Sequence, residues 1–400
     1  MSDRIVVVGA GQAAASLVAK LRAEGHDGPI TVIGAEQAYP YQRPPLSKKY
    51  LLGEMETERL YLRPESWYRE NAVETRLGVP VQAIDRAAQE VVLEDERLSY
   101  SQLALTTGSA PRRLPAAIGG DFGGVFLVRD LADVDQMAPD FTEGRRVLII
   151  GGGYIGLEAA AVAASKGLQV TVVEMAERIL QRVAAPATSD FIRALHISHG
   201  VEIREGVGLD RLEGEGRVSR AILTDGSALE IDFAIVGIGI APESGLAEAA
   251  GLEIENGIKV DGFSRTSDPL IYAAGDCASF PYRGTRIRLE SVPNAIDQGE
   301  NAALNMLGRE EEYIAKPWFW SDQYDMKLQI AGLNAGWEET ITRPGAKAGT
   351  QSVWYYKGDQ LLAVDAMSDA RAYMIGKRVI EAGKTLPKSD VADPEVKLKP

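Results

Sequence analysis

The sequence has one cysteine, three histidines and little positive charge for its 400 residues. Each scarcity excludes something. A lone Cys277 cannot close a disulfide within the chain, which removes the disulfide-stapled secreted scaffolds and points to a reducing compartment. No apolar stretch approaches the roughly 20 residues that cross a bilayer. Met1-Ser-Asp-Arg4 leads straight into a strand-like run rather than a signal peptide, so a cytoplasmic protein with no membrane partner is expected. His196 and His199 stand at i and i+3 near an expected helix end, and no cysteine or third histidine nearby completes a ligand set. A structural or surface role follows for both, with no metal.

The 43 Lys and Arg face 57 Asp and Glu, a net charge of -14, the opposite of the balance that nucleic-acid binders use. No nucleic-acid partner is expected. The deficit is uneven: residues 1–280 hold 27 basic and 40 acidic residues, while 281–400 hold 16 and 17. An acidic protein partner would meet least repulsion on the C-terminal side.

What is present is a globular composition, 45% hydrophobic and 25% charged, at a length that favours two or three domains. One internal echo organises it. Arg4-Ile-Val-Val-Val-Gly-Ala-Gly11 is an apolar run ending in glycines, followed by Ala-rich helix-forming sequence to about Leu21 and a second apolar run, Ile30-Thr-Val-Ile33. The order returns in Arg146-Val-Leu-Ile-Ile-Gly-Gly-Gly153, an Ala-rich stretch to about Lys166, and Val170-Thr-Val-Val-Glu174. Short continuous apolar strands separated by helices predict two βαβ units in parallel sheets buried on both faces.

The glycines give these units a chemistry. Gly9, Gly11 and Ala14 form a G-x-G-x-x-A fingerprint, and Gly151, Gly153 and Gly156 its all-glycine form. The first position allows the tight turn, the second lets a pyrophosphate approach the helix N-terminus, and the third needs a small residue for close packing. One copy would equally suit a plain strand-to-helix turn; two in the same context, each with an acid downstream, point to two dinucleotides. Glu174 ends a strand 23 residues after Gly151, where it can accept hydrogen bonds from a ribose 2′-OH and repel a 2′-phosphate, so NADH is expected over NADPH. Arg178, four residues on, could soften that preference. In the first unit the nearest acid is Glu36, two residues beyond the strand end at Gly34, with a solvated surface role as its plainer reading.

Between the units, Tyr39-Pro-Tyr-Gln-Arg-Pro-Pro-Leu-Ser-Lys-Lys-Tyr50 fits no helix or strand period, and its prolines predict a fixed, extended loop. Such a loop can hold Arg43 and Lys48 over an anionic or electron-accepting group, or serve as an ordered surface segment. Arg43-Pro-Pro-Leu-Ser-Lys48 after a G-x-G-x-x-A unit resembles the bacterial FAD-dependent ferredoxin reductases of the putidaredoxin reductase type, within the glutathione reductase-like flavoproteins. Thr106-Thr-Gly-Ser-Ala-Pro-Arg112, Ile271-Tyr-Ala-Ala-Gly-Asp-Cys-Ala278, Glu290-Ser-Val-Pro-Asn-Ala295 with Gln298-Gly299, and Pro317-Trp-Phe-Trp-Ser-Asp-Gln-Tyr324 extend the likeness along essentially the whole chain.

The resemblance implies an α/β fold of two Rossmann-like dinucleotide-binding domains plus a smaller α+β C-terminal domain. The FAD-binding domain would comprise 1–113 and 242–317, the NAD-binding domain 114–241, and the last domain 318–400. The residues agree on the order: Pro111 to Pro115 breaks regular structure, Val236-Gly-Ile-Gly-Ile240 ends a strand, and an acid at Asp276 could hydrogen-bond polyol hydroxyls or cap a turn. As cofactor-binding residues the resemblance adds Arg43, Lys48, Ala83, Thr107, Gly108, Arg129, Ile155, Glu158, Gly239, Glu290 and Val292 to the two fingerprints, Glu36, Glu174 and Asp276. Trp320 would lie against the flavin edge, Ile155 would flank the nicotinamide, Glu290 would help hold its amide, and Lys48, near flavin N5, would pair with Glu158 as the catalytic couple.

Dithiol-disulfide exchange needs two thiols, and this chain has one, so electrons must leave the flavin directly for an outside acceptor. Cys277 is expected to be a small packing residue. The implied function is hydride transfer from NADH to FAD, then single electrons to an acidic two-iron two-sulfur ferredoxin serving a bacterial monooxygenase or dioxygenase. Arg63, Arg309 and Lys316 are the docking candidates, on a monomer or homodimer. Two other assignments share the scaffold: a rubredoxin or monodehydroascorbate reductase-like enzyme, and an NADH-sensing flavoprotein of the apoptosis-inducing type.

Overall fold

Ile5–Val8 and Ile30–Gly34 are short, almost wholly apolar strands, buried at every residue. Such segments are stable only with both faces covered. They pair in parallel within a five-stranded sheet of order Ile271–Ala273, Gln102–Leu105, Ile5–Val8, Ile30–Gly34, Val73–Leu77. One face is covered by the helix Gln12–Ala23, which buries Ala14, Leu17, Val18 and Leu21, and by the helix Val292–Met306 beside it. A side chain at Gly299 would stand 2.7 Å from the Ala13 carbonyl, so glycine is what lets these helices approach.

The second βαβ unit repeats the plan. Arg146–Ile150 lies in parallel between Gln169–Glu174 and Phe233–Val236, with Glu202–Glu205 and Val125–Phe126 at the edges. The helix Tyr154–Ser165 crosses over it, with eight consecutive buried residues from Gly156 to Ala163. The C-terminal region is a five-stranded antiparallel sheet, Trp318–Gln323, Met326–Gly332, Gln360–Met367, Gln351–Lys357 and Glu339–Pro344 in spatial order, with the helix Ala370–Glu381 packed against it. These three sheets give the mixed α/β class.

The computed structural model describes residues 3–400. Its contacts separate two compact units. One gathers the chain up to Arg43, Glu56–Ala110 and Ile240–Pro317; the other gathers Pro44–Met55, Pro111–Gly239 and Trp318–Pro400. The C-terminal sheet belongs with the second parallel sheet because they share a core: Leu157, Ile179 and Ile192 pack with Met326, Leu328, Tyr355 and Met367. The short segment Pro44–Met55 belongs there too, drawn by the polar contacts described below.

That segment also differs from the extended loop its prolines predict. Pro45 adopts helical angles, φ -71° and ψ -16°, and behind it Leu46–Tyr50 coils into a short helical segment kinked at Lys48, whose φ -131° and ψ -111° are not helical. Proline is favoured at the start of a helix, where its missing N–H has no partner to lose, so the prolines here begin a turn instead of preventing one. Among the described residues no helix is long and apolar enough to cross a membrane.

Candidate functional site

Both glycine turns have the geometry their sequences predict. Gly9 and Gly151 each take φ +107°, and a side chain at either would strike a neighbouring backbone, Thr106 O at 2.2 Å or Gly237 O at 2.4 Å. Gly11 and Gly153 stand at the N-caps of their helices, neither helix has a side-chain cap, and nothing lies within 4 Å of where a side chain would project. Uncapped N–H groups under open space suit a pyrophosphate, so both turns fit a dinucleotide. The third positions differ for a packing reason. At Gly156 a methyl would stand 2.2 Å from Gly151 O, whereas Ala14 is accommodated at 1% exposure.

Around the second turn, three apolar side chains are left in solvent: Ile155 in the first turn of the helix, Met175 after Glu174, and Ile238 after the strand Phe233–Val236. All follow the carboxyl ends of parallel strands, where open α/β sheets bind ligands. Glu174 accepts the Gly152 and Ala176 amides, each at 2.8 Å. Arg178 is turned to Ser189 Oγ at 2.6 Å and the Gln181 carbonyl. Gly239, at φ +100°, accepts the Arg112 amide at 2.9 Å, and the Arg129 amide donates to Asp133 at 2.9 Å.

In the first unit, Glu36 is committed to the proline loop: its carboxylate accepts the Arg43 guanidinium and the Tyr41 hydroxyl. Asp276 accepts Ser109 Oγ at 3.1 Å, and Thr107 Oγ1 and the Gly108 carbonyl both bond to the backbone of Glu243. Glu290 pairs with Arg288 at 2.6 Å, and Arg288 also holds the Asp276 carbonyl, so one arginine joins two of the expected site residues. Ala83 begins an edge strand, exposed, and Val292 is the first residue of its helix. Arg288 carries no local motif and was not foreseen.

In the second unit, Lys48 Nζ lies 2.9 Å from Glu158 Oε2. The carboxylate also takes Ser321 Oγ at 2.8 Å and Ser47 Oγ at 3.3 Å. Burial pushes the Glu158 carboxyl above its usual range, while Lys48, Ser321 and the Asp322 amide pull it back. The lysine is brought there by the Leu46–Tyr50 turn, which is fastened further by Tyr50 Oη on Asp135 at 2.8 Å. Ser321 comes from the strand Trp318–Gln323, where Trp320 stacks on Trp318 with ring centres 5.6 Å apart. No sequence signal links Ser321 to Glu158 across 163 positions.

The remaining candidates resolve simply. Cys277 is fully buried in an apolar cluster, its Sγ 3.5 Å from the Leu105 and Ala274 carbonyls, and burial raises its thiol pKa. It is a packing residue with no second cysteine to pair with. His196 is buried against Gln323, and His199 stacks on Tyr324. Arg63 is exposed and lies over the Trp67 ring, Arg309 meets Glu24 at 3.3 Å, and Lys316 is exposed.

Comparison with known proteins adds to this geometry. The pyridine nucleotide-disulphide oxidoreductase family matches residues 3–299 and the reductase C-terminal family matches residues 318–400. A ferredoxin-NAD(P)(+) reductase of Sphingomonas sp is 42% identical over 99% of this chain and 96% of its own length. Putidaredoxin reductase of Pseudomonas putida is 39% identical over 100% of this chain and 96% of its own length. Among solved structures, the covalent putidaredoxin reductase-putidaredoxin complex superposes with a TM-score of 0.94 at 38% identity, covering 98% of this chain and 96% of that one.

Proposed function

The chain belongs to the pyridine nucleotide-disulphide oxidoreductase family and carries its reductase C-terminal domain, and from that premise we propose that it is an FAD-dependent NADH:ferredoxin oxidoreductase. The observation that carries this reading is the pairing of two uncapped dinucleotide turns with a solitary cysteine shut in the core. One turn holds a cofactor and the other its reductant. With no thiol pair to relay electrons, the acceptor must be external.

The flavin supplies the redox chemistry when bound, taking a hydride from NADH and returning its electrons singly. Gly9, Gly11 and Ala14 would hold its pyrophosphate, with Glu36 and Arg43, Thr107 and Gly108, and Asp276 around it. Gly151, Gly153 and Gly156 would hold NADH, Glu174 its ribose, Ile155 its nicotinamide and Glu290 the nicotinamide amide, with Ala83, Arg129, Gly239 and Val292 as further cofactor contacts. Lys48 presents a positive charge that favours negative charge on a reduced ring, and Glu158 fixes its ammonium by a charge-assisted hydrogen bond. Trp320 contributes an aromatic wall. The proposed domains are the FAD segments 1–113 and 242–317, the NAD segment 114–241, and 318–400.

The proposed acceptor is an acidic two-iron two-sulfur ferredoxin of an oxygenase system. One NADH reduces two ferredoxin molecules and releases one proton. Arg63, Arg309 and Lys316 are the proposed docking charges, and cytoplasm, which holds NADH, is the proposed location.

The test is NADH-driven cytochrome c reduction by the FAD-loaded protein, with and without a two-iron ferredoxin from the same organism. Strong dependence on ferredoxin is expected. Flavin bleaching by NADH with no ferredoxin-dependent turnover would reject this acceptor while leaving the flavoprotein assignment standing.

A further inference from the structure

His196 belongs to a hydrogen-bonded chain of buried side chains that runs inward from the half-buried Lys48 through Glu158. From Glu158 Oε1 the links are Ser321 Oγ at 2.8 Å, Gln323 Nε2 to Ser321 Oγ at 3.1 Å, and Gln323 Oε1 to His196 Nε2 at 2.8 Å. Beyond it, the Tyr324 hydroxyl lies 3.2 Å from His196 Nδ1. Ser321, Gln323 and His196 are each 0% exposed, so water offers them no alternative partners.

The direction of the chain follows from the donor inventory. An ionised Glu158 can only accept, so Ser321 must give its single proton to Glu158 and can then only accept from Gln323. Gln323 therefore donates through its amide nitrogen, and its carbonyl oxygen must receive a proton from His196. That makes His196 the Nε2–H tautomer, with Nδ1 accepting from Tyr324. If His196 carried its proton on Nδ1 instead, Gln323 would turn its amide nitrogen toward the ring. Its oxygen would then face Ser321 and draw that hydroxyl proton away from Glu158.

The hairpin supports the same arrangement. Tyr324 and Asp325 form the two-residue turn between Gln323 and Met326, and Tyr324 sits at φ +56°, a conformation that bulky residues rarely adopt. The turn holds that conformation with the phenol against both His196 and His199.

We propose that His196 is a positioning residue for the Lys48–Glu158 couple, its Nε2–H locking, through Gln323 and Ser321, the hydrogen bond that aligns the Glu158 carboxylate on Lys48. The chain is a polariser and not a proton wire, because the Gln323 amide interrupts proton hopping. The kinetic part of the proposal rests on the flavoprotein reading given above.

The first measurement does not depend on turnover. Nitrogen-15 NMR of FAD-loaded protein labelled at its three histidines should show His196 as Nε2–H at pH 7.5, and Ser321→Ala, which changes no charge, should shift both His196 ring nitrogens. An Nδ1–H tautomer in the wild type, or ring shifts unmoved by Ser321→Ala, overturns the proposal. The second is single-turnover flavin reduction by NADH. His196→Leu should slow it about tenfold, the factor that one hydrogen bond to a charged group carries, and His196→Gln, which restores an N–H near the same point, should recover most of the rate. Wild-type rates in a folded His196→Leu protein would overturn the role in reduction. If NADH fails to reduce even the wild type, the functional reading falls, while the NMR result still decides the chain.

Discussion

Glu174 accepts the amide proton of Gly152 at 2.8 Å, so the acid that ends one strand is fastened to the glycine turn leaving its neighbour. A 2′-phosphate arriving there meets a carboxylate held in place. The protein is expected to prefer NADH, and Glu174→Ala to narrow the ratio of kcat/KM for NADH over NADPH by about tenfold or more. Arg178, occupied by Ser189, is not expected to offset this. Steady-state kinetics with both nucleotides decides it, and an unchanged ratio would reject the role of Glu174.

Gly156→Ala places a methyl 2.2 Å from the Gly151 carbonyl and must push the second turn open. NADH affinity should fall at least about tenfold, because the turn sets where the helix N-terminus meets the pyrophosphate. Flavin content should not change. Flavin-to-protein absorbance ratios and NADH titration separate the two effects.

Removing Lys48 strands a buried carboxylate. Lys48→Ala should slow flavin reduction by NADH in a single turnover and cost about 3 kcal/mol, at the low end for breaking a buried pair because Lys48 keeps some solvent contact. Lys48→Met combined with Glu158→Gln should recover the melting temperature without recovering the rate. A double variant as slow to melt and as fast to react as wild type would contradict a catalytic role for the couple.

Cys277→Ser should retain FAD and most ferredoxin-dependent activity, because the Leu105 and Ala274 carbonyls can accept from a hydroxyl as they do from the thiol. A near-total loss of turnover with FAD still bound would overturn direct electron transfer from the flavin.

Asp365 gives stability a pH dependence. Wholly buried, its carboxyl is pushed up to about 6 from an ordinary 3.8, burial outweighing the hydrogen bonds from Tyr355 and Thr188. The folded chain thus binds this proton more tightly than the unfolded chain does. The resulting stability is whole below pH 3.8 and is lost as pH rises through about 6, on the order of 3 kcal/mol. Asp365→Asn should melt higher than wild type at pH 7.5, with the difference shrinking towards pH 4.5. A difference that does not change with pH would contradict the shift.

The glycine turns and the strands feeding them were legible because their signal is local: a run of β-branched residues, two glycines, a small residue. The Lys48–Glu158 pair was reached only through resemblance, since no periodicity connects a proline-rich segment to a helix 110 positions away. Ser321, Gln323 and Arg288 were invisible for the same reason. Their roles come from tertiary partners, and a serine in a strand looks alike whether it faces a carboxylate or solvent. The prolines point to an extended segment where Leu46–Tyr50 in fact coils, because proline's effect has a direction, disfavouring a helix ahead of itself while favouring one behind.

The isolation of Cys277 has a practical side. A protein whose one native thiol is sealed in its core offers maleimides and spin labels nothing to attack, and it is a ready background for site-directed labelling. A cysteine introduced at exposed Arg63 or Lys316 would be the sole reactive handle, able to report by paramagnetic broadening how near an arriving iron-sulfur cluster comes to each side chain.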